Sequence, residues 1–187
     1  MLSIVGLFRL VCFLKAVMRR AIVQETFLRP GEYFVGGNGR VRTLLGSCVS
    51  VTLWHPHTRT GAMSHFLLWS RGGVPPGSAP DGRYGDEALR LMLSGLARRG
   101  VDHLQCQAKV FGGGNMFSHV AVGRMQLIGE SNGQQAHALL AHLGIRVVSQ
   151  SLFGDGYRRI CFDVRTGDVF VSHVRATDKP VCEGVAK

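Results

Sequence analysis

The sequence predicts an α+β fold, with mixed or antiparallel sheets covered by a few helices. Three observations point to it. Runs of strand length outnumber helical runs, many of them follow one another with only a turn between, and two segments carry helical period with boundary residues at their ends. At 187 residues and 45% hydrophobic, the chain is long enough for one well-buried core and short for two. A single domain over residues 21–178 is therefore expected, preceded by an extension over 1–20 and followed by a tail over 179–187.

The extension, MLSIVGLFRLVCFLKAVMRR, has an apolar run interrupted by Arg9, too short for a transmembrane span. Its positive charges follow the apolar part instead of preceding it as in a signal peptide, and Met18 offers an alternative start. No stable membrane insertion is expected. Pro30-Gly31 then turns the chain into EYFVGG, and Asn38-Gly39 turns it into VRTLLGSC, both flanks being of strand length. In VSVTLW, Val49, Val51 and Leu53 alternate with Ser50, Thr52 and Trp54, the period of a half-buried strand. HPHTRTG reverses the chain, and AMSHFLLW returns as a second strand.

RGGVPPGSAPDGRYG, residues 71–85, is too rich in Gly and Pro for helix or central strand and reads as a long surface loop. Asp86 is placed as the N-cap of a helix carrying Leu89, Leu93 and Leu96 on one face, with Gly100 as its stop. A second helix is expected over about 133–143, begun by Ser131 or Asn132 and ended by Gly144. QAKVFGG, IRVVSQSLF, RRICFDV and DVFVSHV supply further strands, the last two as a hairpin around Arg165-Thr166-Gly167.

The formal charge of +10 would suit a nucleic-acid binder, yet Arg9, Lys15, Arg19 and Arg20 supply four of those charges before residue 21. The rest is thinly spread, without a Lys/Arg run, a zinc-finger spacing or a recognition helix, so no nucleic-acid partner is expected. The five cysteines are odd in number, widely spaced and without a CxxC pair, which fits reduced thiols in a cytoplasmic protein.

The stretch TLLGSCVSVTLWHPHTRTGAMSHFLLW sets Cys48 behind a Gly-Ser turn and His65 in the returning strand. In a hairpin whose paired residue numbers sum to 115, Cys48 faces Leu67 and Ser50 faces His65, which puts Cys48 and His65 on one sheet face as diagonal neighbours. Such neighbours have Cα atoms roughly 7–8 Å apart. A slip of one residue would put them on opposite faces. The chemistry such a pair supports is acyl transfer: the imidazole takes the thiol proton and later returns it to a leaving group, and N–H groups around Gly46-Ser47-Cys48 serve as an oxyanion hole. The same spacing fits Cys48 as a small core residue and His65 as a hydrogen-bonded core histidine. His55 and His57 near Cys48 do not complete a zinc signature. FGGGN, residues 111–115, lacks the Gly-Lys-Ser/Thr ending of a phosphate loop, and close backbone packing near the site is expected of it.

The blocks LLGSCVSVTLWHP, GAMSHFLL, RYGDEAL, AKVFGGGNMF, IGESN and GIRVVSQSLFGDGYRRICFDVRTGDVFV, in this order over about residues 30–174, resemble the chemoreceptor glutamine deamidases of the CheD family. The resemblance implies a β-sandwich covered by helices, related to deamidating toxin domains. It implies hydrolysis of selected glutamine side chains to glutamate on methyl-accepting chemotaxis receptors, with release of ammonia and no metal or organic cofactor. Cys48 is then the nucleophile, His65 the general base and acid, and Thr43 the residue that orients the histidine, with Arg42 as the alternative alignment for that threonine. A CheC-type phosphatase is a further partner that some members bind. A cysteine hydrolase with another protein substrate and a non-enzymatic chemotaxis adaptor are the competing readings.

Overall fold

The computed structural model describes residues 23–73, 75, 77–115 and 124–175. The expected extension over 1–20 and the tail over 179–187 lie outside the described residues. Among them the strands are β1 (Glu25–Phe27), β2 (Tyr33–Gly36), β3 (Arg40–Leu45), β4 (Val49–His55), β5 (Thr60–Ser64), β6 (Gln107–Gly112), β7 (Arg146–Leu152), β8 (Tyr157–Asp163) and β9 (Val169–Val174). Two helices, α1 (Gly85–Ala97) and α2 (Arg124–His142), complete the α+β architecture.

The strands form two sheets, ordered β1-β3-β8-β9 and β2-β5-β4-β6-β7. Both are mixed: β1 runs parallel to β3 and β6 parallel to β7, while the remaining pairs are antiparallel. The short β1 is an element the sequence reading missed. Asn38-Gly39 does not close a hairpin; it carries the chain from β2 in one sheet to β3 in the other.

Two apolar clusters hold the layers together. Val49, Val51, Leu53 and Phe66 pack with Leu89, Met92 and Leu96 of α1 and with Ala136 and Leu140 of α2. Val41, Leu45, Met63, Phe111, Ile160 and Phe162 fill the second cluster, between the sheets. Strand β4 is consequently buried on both faces. Its alternation predicted a half-buried strand, but Ser50 and Thr52 are 0% and 2% exposed because the second sheet covers the face they occupy.

The β4–β5 register is the expected one: Thr52 pairs with Met63, Leu53 with Ala62 and Trp54 with Gly61, each summing to 115. The bridge between Val49 and Phe66 continues it. Between these pairs the ladder is interrupted, and the Ser64 hydroxyl stands in, accepting from Val51 N at 3.3 Å.

Both helix starts differ from expectation. Asp86 lies inside the first turn of α1, whose cap is Tyr84 without a side-chain bond. The carbonyls of Leu68 and Trp69 accept from Gly85 N (2.8 Å) and Asp86 N (3.1 Å), so backbone satisfies the N–H groups that a capping side chain would otherwise take. Helix α2 begins at Arg124 instead of near 133, running through Gly129, Ser131, Asn132 and Gly133. Their low propensity is overridden by packing: a Cβ on Gly129 would come within 2.7 Å of the Gly113 carbonyl. The described residues of the 71–85 loop are mostly exposed, but Glu87 anchors the loop by accepting from Arg71 Nε (2.8 Å), Arg71 Nη2 (3.0 Å) and Asp81 N (2.7 Å).

Candidate active site

Cys48 occupies the turn between β3 and β4, half-buried and packed against the inter-sheet cluster. Three successive carbonyls of that turn are tied down from outside it. Gly46 O accepts from Gly114 N at 2.7 Å, and Cys48 O accepts from Gly113 N at 2.8 Å. Ser47 O accepts from Asn132 Nδ2 at 3.4 Å. The glycine run makes this approach sterically allowed. Gly112 has φ +111°, and a Cβ there would lie 2.2 Å from Cys48 O. FGGGN is therefore a packing turn against the cysteine segment, as its composition suggested.

His65 follows β5, and its main chain is fixed by the Pro30-Gly31 turn: Gly31 N donates to His65 O (2.7 Å), and His65 N donates to Glu32 O (3.0 Å). Thr43 lies on β3 in the opposite sheet, on the inward face with Val41 and Leu45. Arg42, the alternative alignment, is exposed and pairs with Glu25 at 3.3 Å on the outer face. Thr43 Oγ1 stands 2.7 Å from His65 Nδ1 and donates to Leu28 O at 2.7 Å.

For a neutral imidazole, this arrangement selects the tautomer. A hydroxyl has one proton, and Thr43 gives it to a carbonyl, so toward His65 it acts as an acceptor. Nδ1 then carries the imidazole hydrogen, and it lies 3.5 Å from the same Leu28 carbonyl, an acceptor. The lone pair is then on Nε2, which is buried and without a hydrogen-bond partner among the described residues. A neutral imidazole locked in this form is a base with its lone pair unused.

Burial acts on both groups in the direction that keeps them neutral. It pushes the Cys48 thiol up, against a smaller stabilisation of the thiolate by the residue's own N–H. It holds His65 below the ordinary imidazole value, against the Leu28 carbonyl and Glu32, which favour the protonated form. Both effects favour thiol and imidazole over thiolate and imidazolium.

His55 is occupied elsewhere. Its Nδ1 accepts from Thr58 N at 3.2 Å and its Nε2 meets Gln105 Oε1 at 3.3 Å, at the far end of β4 from Cys48. Asn132 was read only as a helix boundary; it is 2% exposed and also donates to Leu67 O at 2.8 Å. A polar residue of low helix propensity, next to two others and three residues past a glycine, was the available signal for a side chain aimed inward.

Comparison with known proteins adds the lineage. A family model described as CheD chemotactic sensory transduction matches residues 71–173. A probable chemoreceptor glutamine deamidase CheD 2 from Albidiferax ferrireducens is 56% identical over 152 residues, covering 80% of this chain and 87% of the relative. The chain belongs to the CheD family. A CheD 3 relative from Dechloromonas aromatica is 42% identical over 160 residues, 85% of this chain and 93% of its own. One from Chromobacterium violaceum, a CheD 1, is 38% identical over 150 residues, 79% and 77% of the two chains. All three CheD relatives are named as probable chemoreceptor glutamine deamidases. No helix among the described residues is long and apolar enough to cross a membrane.

Proposed function

We propose that this protein is a glutamine deamidase acting on the cytoplasmic domains of methyl-accepting chemotaxis receptors, with Cys48 as nucleophile, His65 as general base and acid, and Thr43 as the residue that orients it. The observation that carries the reading is the Thr43–His65 contact, which leaves a buried Nε2 lone pair in the inter-sheet layer that Cys48 also faces. CheD membership and the names of the relatives supply the substrate class.

Nε2 takes the Cys48 proton as sulfur attacks the carboxamide carbon, and the resulting oxyanion is held by backbone N–H groups of the cysteine turn. The imidazolium then protonates the amide nitrogen, the C–N bond breaks, and ammonia leaves a thioester on Cys48. Water gives a proton to Nε2 and adds to the thioester carbon. The C–S bond breaks, sulfur recovers the proton from Nε2, and glutamate is released. Each turnover adds one negative charge to a receptor helix. No step calls on a metal or an organic cofactor.

The 71–85 loop is proposed to form part of a mouth that admits a side-chain amide and rejects a peptide bond. Arg83 O accepts from Leu67 N (2.9 Å) and Leu68 N (3.2 Å), which brings the end of the loop beside the residue opposite Cys48 in the hairpin register. Shortening the loop is expected to change which receptor glutamines react while Cys48 stays reactive; an unchanged profile refutes that role. Binding to a CheC-type phosphatase belongs to the same proposal and is checked by titrating the purified pair.

The decisive experiment is mass spectrometry of purified receptor cytoplasmic fragments incubated with wild-type protein and with Cys48→Ala. Glutamine-to-glutamate conversion by the wild type alone is the expected result. Equal conversion by Cys48→Ala, or none by either, overturns the reading.

A further inference from the structure

The carbonyl of Ser47 and the N–H of Cys48 belong to one peptide unit. No described peptide bond is cis, so that unit is trans and directs its carbonyl and its N–H to opposite sides. Whatever holds Ser47 O therefore aims Cys48 N–H. The holder is Asn132, whose Nδ2 donates to Ser47 O at 3.4 Å and to Leu67 O at 2.8 Å. The second carbonyl belongs to the segment after β5 that carries His65, two residues beyond it. One buried amide thus bridges the segments that bear both proposed reacting side chains, and it does so from α2.

The geometry points to Asn132 as a positioning residue for the oxyanion: by fixing the Ser47–Cys48 peptide it turns the Cys48 N–H toward the nucleophile's own sulfur and the carbonyl oxygen bound there. Two further observations agree. The neighbouring carbonyls, Gly46 O and Cys48 O, are fixed by backbone donors of the glycine turn, so Ser47 O is the one of the three that depends on a side chain. The Cys48 N–H favours the residue's own thiolate, against the upward push of burial. An amide is suited to this position because it is uncharged and has two hydrogens on one nitrogen, one for each carbonyl. A carboxylate there would set negative oxygens against both acceptors.

This inference rests on the deamidase reading for its kinetic readout, but not for its chemical one. In Asn132→Ala, kcat for deamidation of receptor fragments is expected to fall on the order of 10²-fold, the usual consequence of losing one oxyanion donor, with KM within about twofold. The pH profile of Cys48 alkylation by iodoacetamide is expected to shift to higher pH, because the thiolate loses its N–H, while the plateau rate at full ionisation is unchanged. A merely structural asparagine would lower the melting temperature without moving that midpoint at temperatures where the variant is folded. Asn132→Asp supplies a near-isosteric second variant: its activity relative to wild type should recover as pH falls and the carboxyl becomes a donor. An unmoved alkylation midpoint in folded Asn132→Ala overturns the inference, and so does an Asn132→Asp ratio that is flat with pH. If wild-type protein converts no receptor glutamine, the deamidase reading falls and the alkylation midpoint alone judges Asn132.

Discussion

Thr43 lies on β3 of one sheet and His65 just past β5 of the other, and the 2.7 Å contact between Oγ1 and Nδ1 joins the layers at the position where chemistry is expected. The contact works because Thr43 spends its proton on Leu28 O and has only lone pairs left for the imidazole. Thr43→Val keeps the shape and loses the acceptor, and should lower kcat on the order of 10²-fold by freeing the ring from its productive orientation. Thr43→Ser restores the acceptor and should recover most of that loss. Steady-state kinetics on a receptor fragment compares the two; equal activity of Thr43→Val and wild type would remove Thr43 from the site.

The pH profile follows from the neutral resting pair. Protonated His65 is no base, and burial holds it below the ordinary imidazole value of 6.5, so activity should persist below that pH before it falls. On the alkaline side, the thiol is pushed above its ordinary value of 9.0, so loss of the shared proton should come only beyond it. The expected kcat/KM profile is a plateau wider than the interval between those values. A bell contained inside that interval would contradict the environment described for both groups.

Gly112→Ala places a methyl group 2.2 Å from the Cys48 carbonyl at a φ of +111°. The backbone strain alone costs about 1–3 kcal/mol. Relief of the clash requires the cysteine turn to move, so deamidation should fall together with the melting temperature. Thermal unfolding and turnover measured on the same sample check this, and a variant that keeps both would show that the glycine turn does not support Cys48.

Asp163 links β8 to the turn that follows it. Arg165, and then Arg40, hold its carboxylate down from the ordinary 3.8 to about 2, with Arg165 Nη2 at 2.6 Å and Arg40 Nε at 3.3 Å. The folded state therefore binds this proton less readily than the unfolded chain. The associated stability is fully present above about pH 4 and is lost as pH falls toward 2. Asp163→Asn should be less stable than wild type at neutral pH and converge with it in acid, which urea unfolding at both ends of the range would reveal.

Much of this site was legible because it is local. The hairpin whose paired numbers sum to 115, the register in which Cys48 and His65 are expected to share a face, is the one that β4 and β5 adopt. Local sequence did not show what completes it. Thr43 reaches His65 only because β3 enters the other sheet, and a turn at Asn38-Gly39 looks the same whether it closes a hairpin or changes sheets. Asn132 was hidden for a related reason. Ser131 and Asn132 read as the start of a helix, whereas α2 already runs through them and through Gly129, whose lack of a side chain admits the Gly113 carbonyl, a group distant in the chain. Asp86 looked like a cap because the Leu68 and Trp69 carbonyls that perform that function are visible only once the chain has folded back.

Burial of Cys48 has a consequence for the protein's exposure to oxidants. Peroxide and other electrophiles attack thiolates, and a thiol kept protonated at rest offers them little to react with. In the proposed mechanism, Cys48 becomes reactive only when a carboxamide sits beside it and His65 removes its proton. Under the proposed function, a cell in oxidative stress would then retain the capacity to reset its receptors, because the sulfur proposed to perform the resetting remains chemically quiet between encounters.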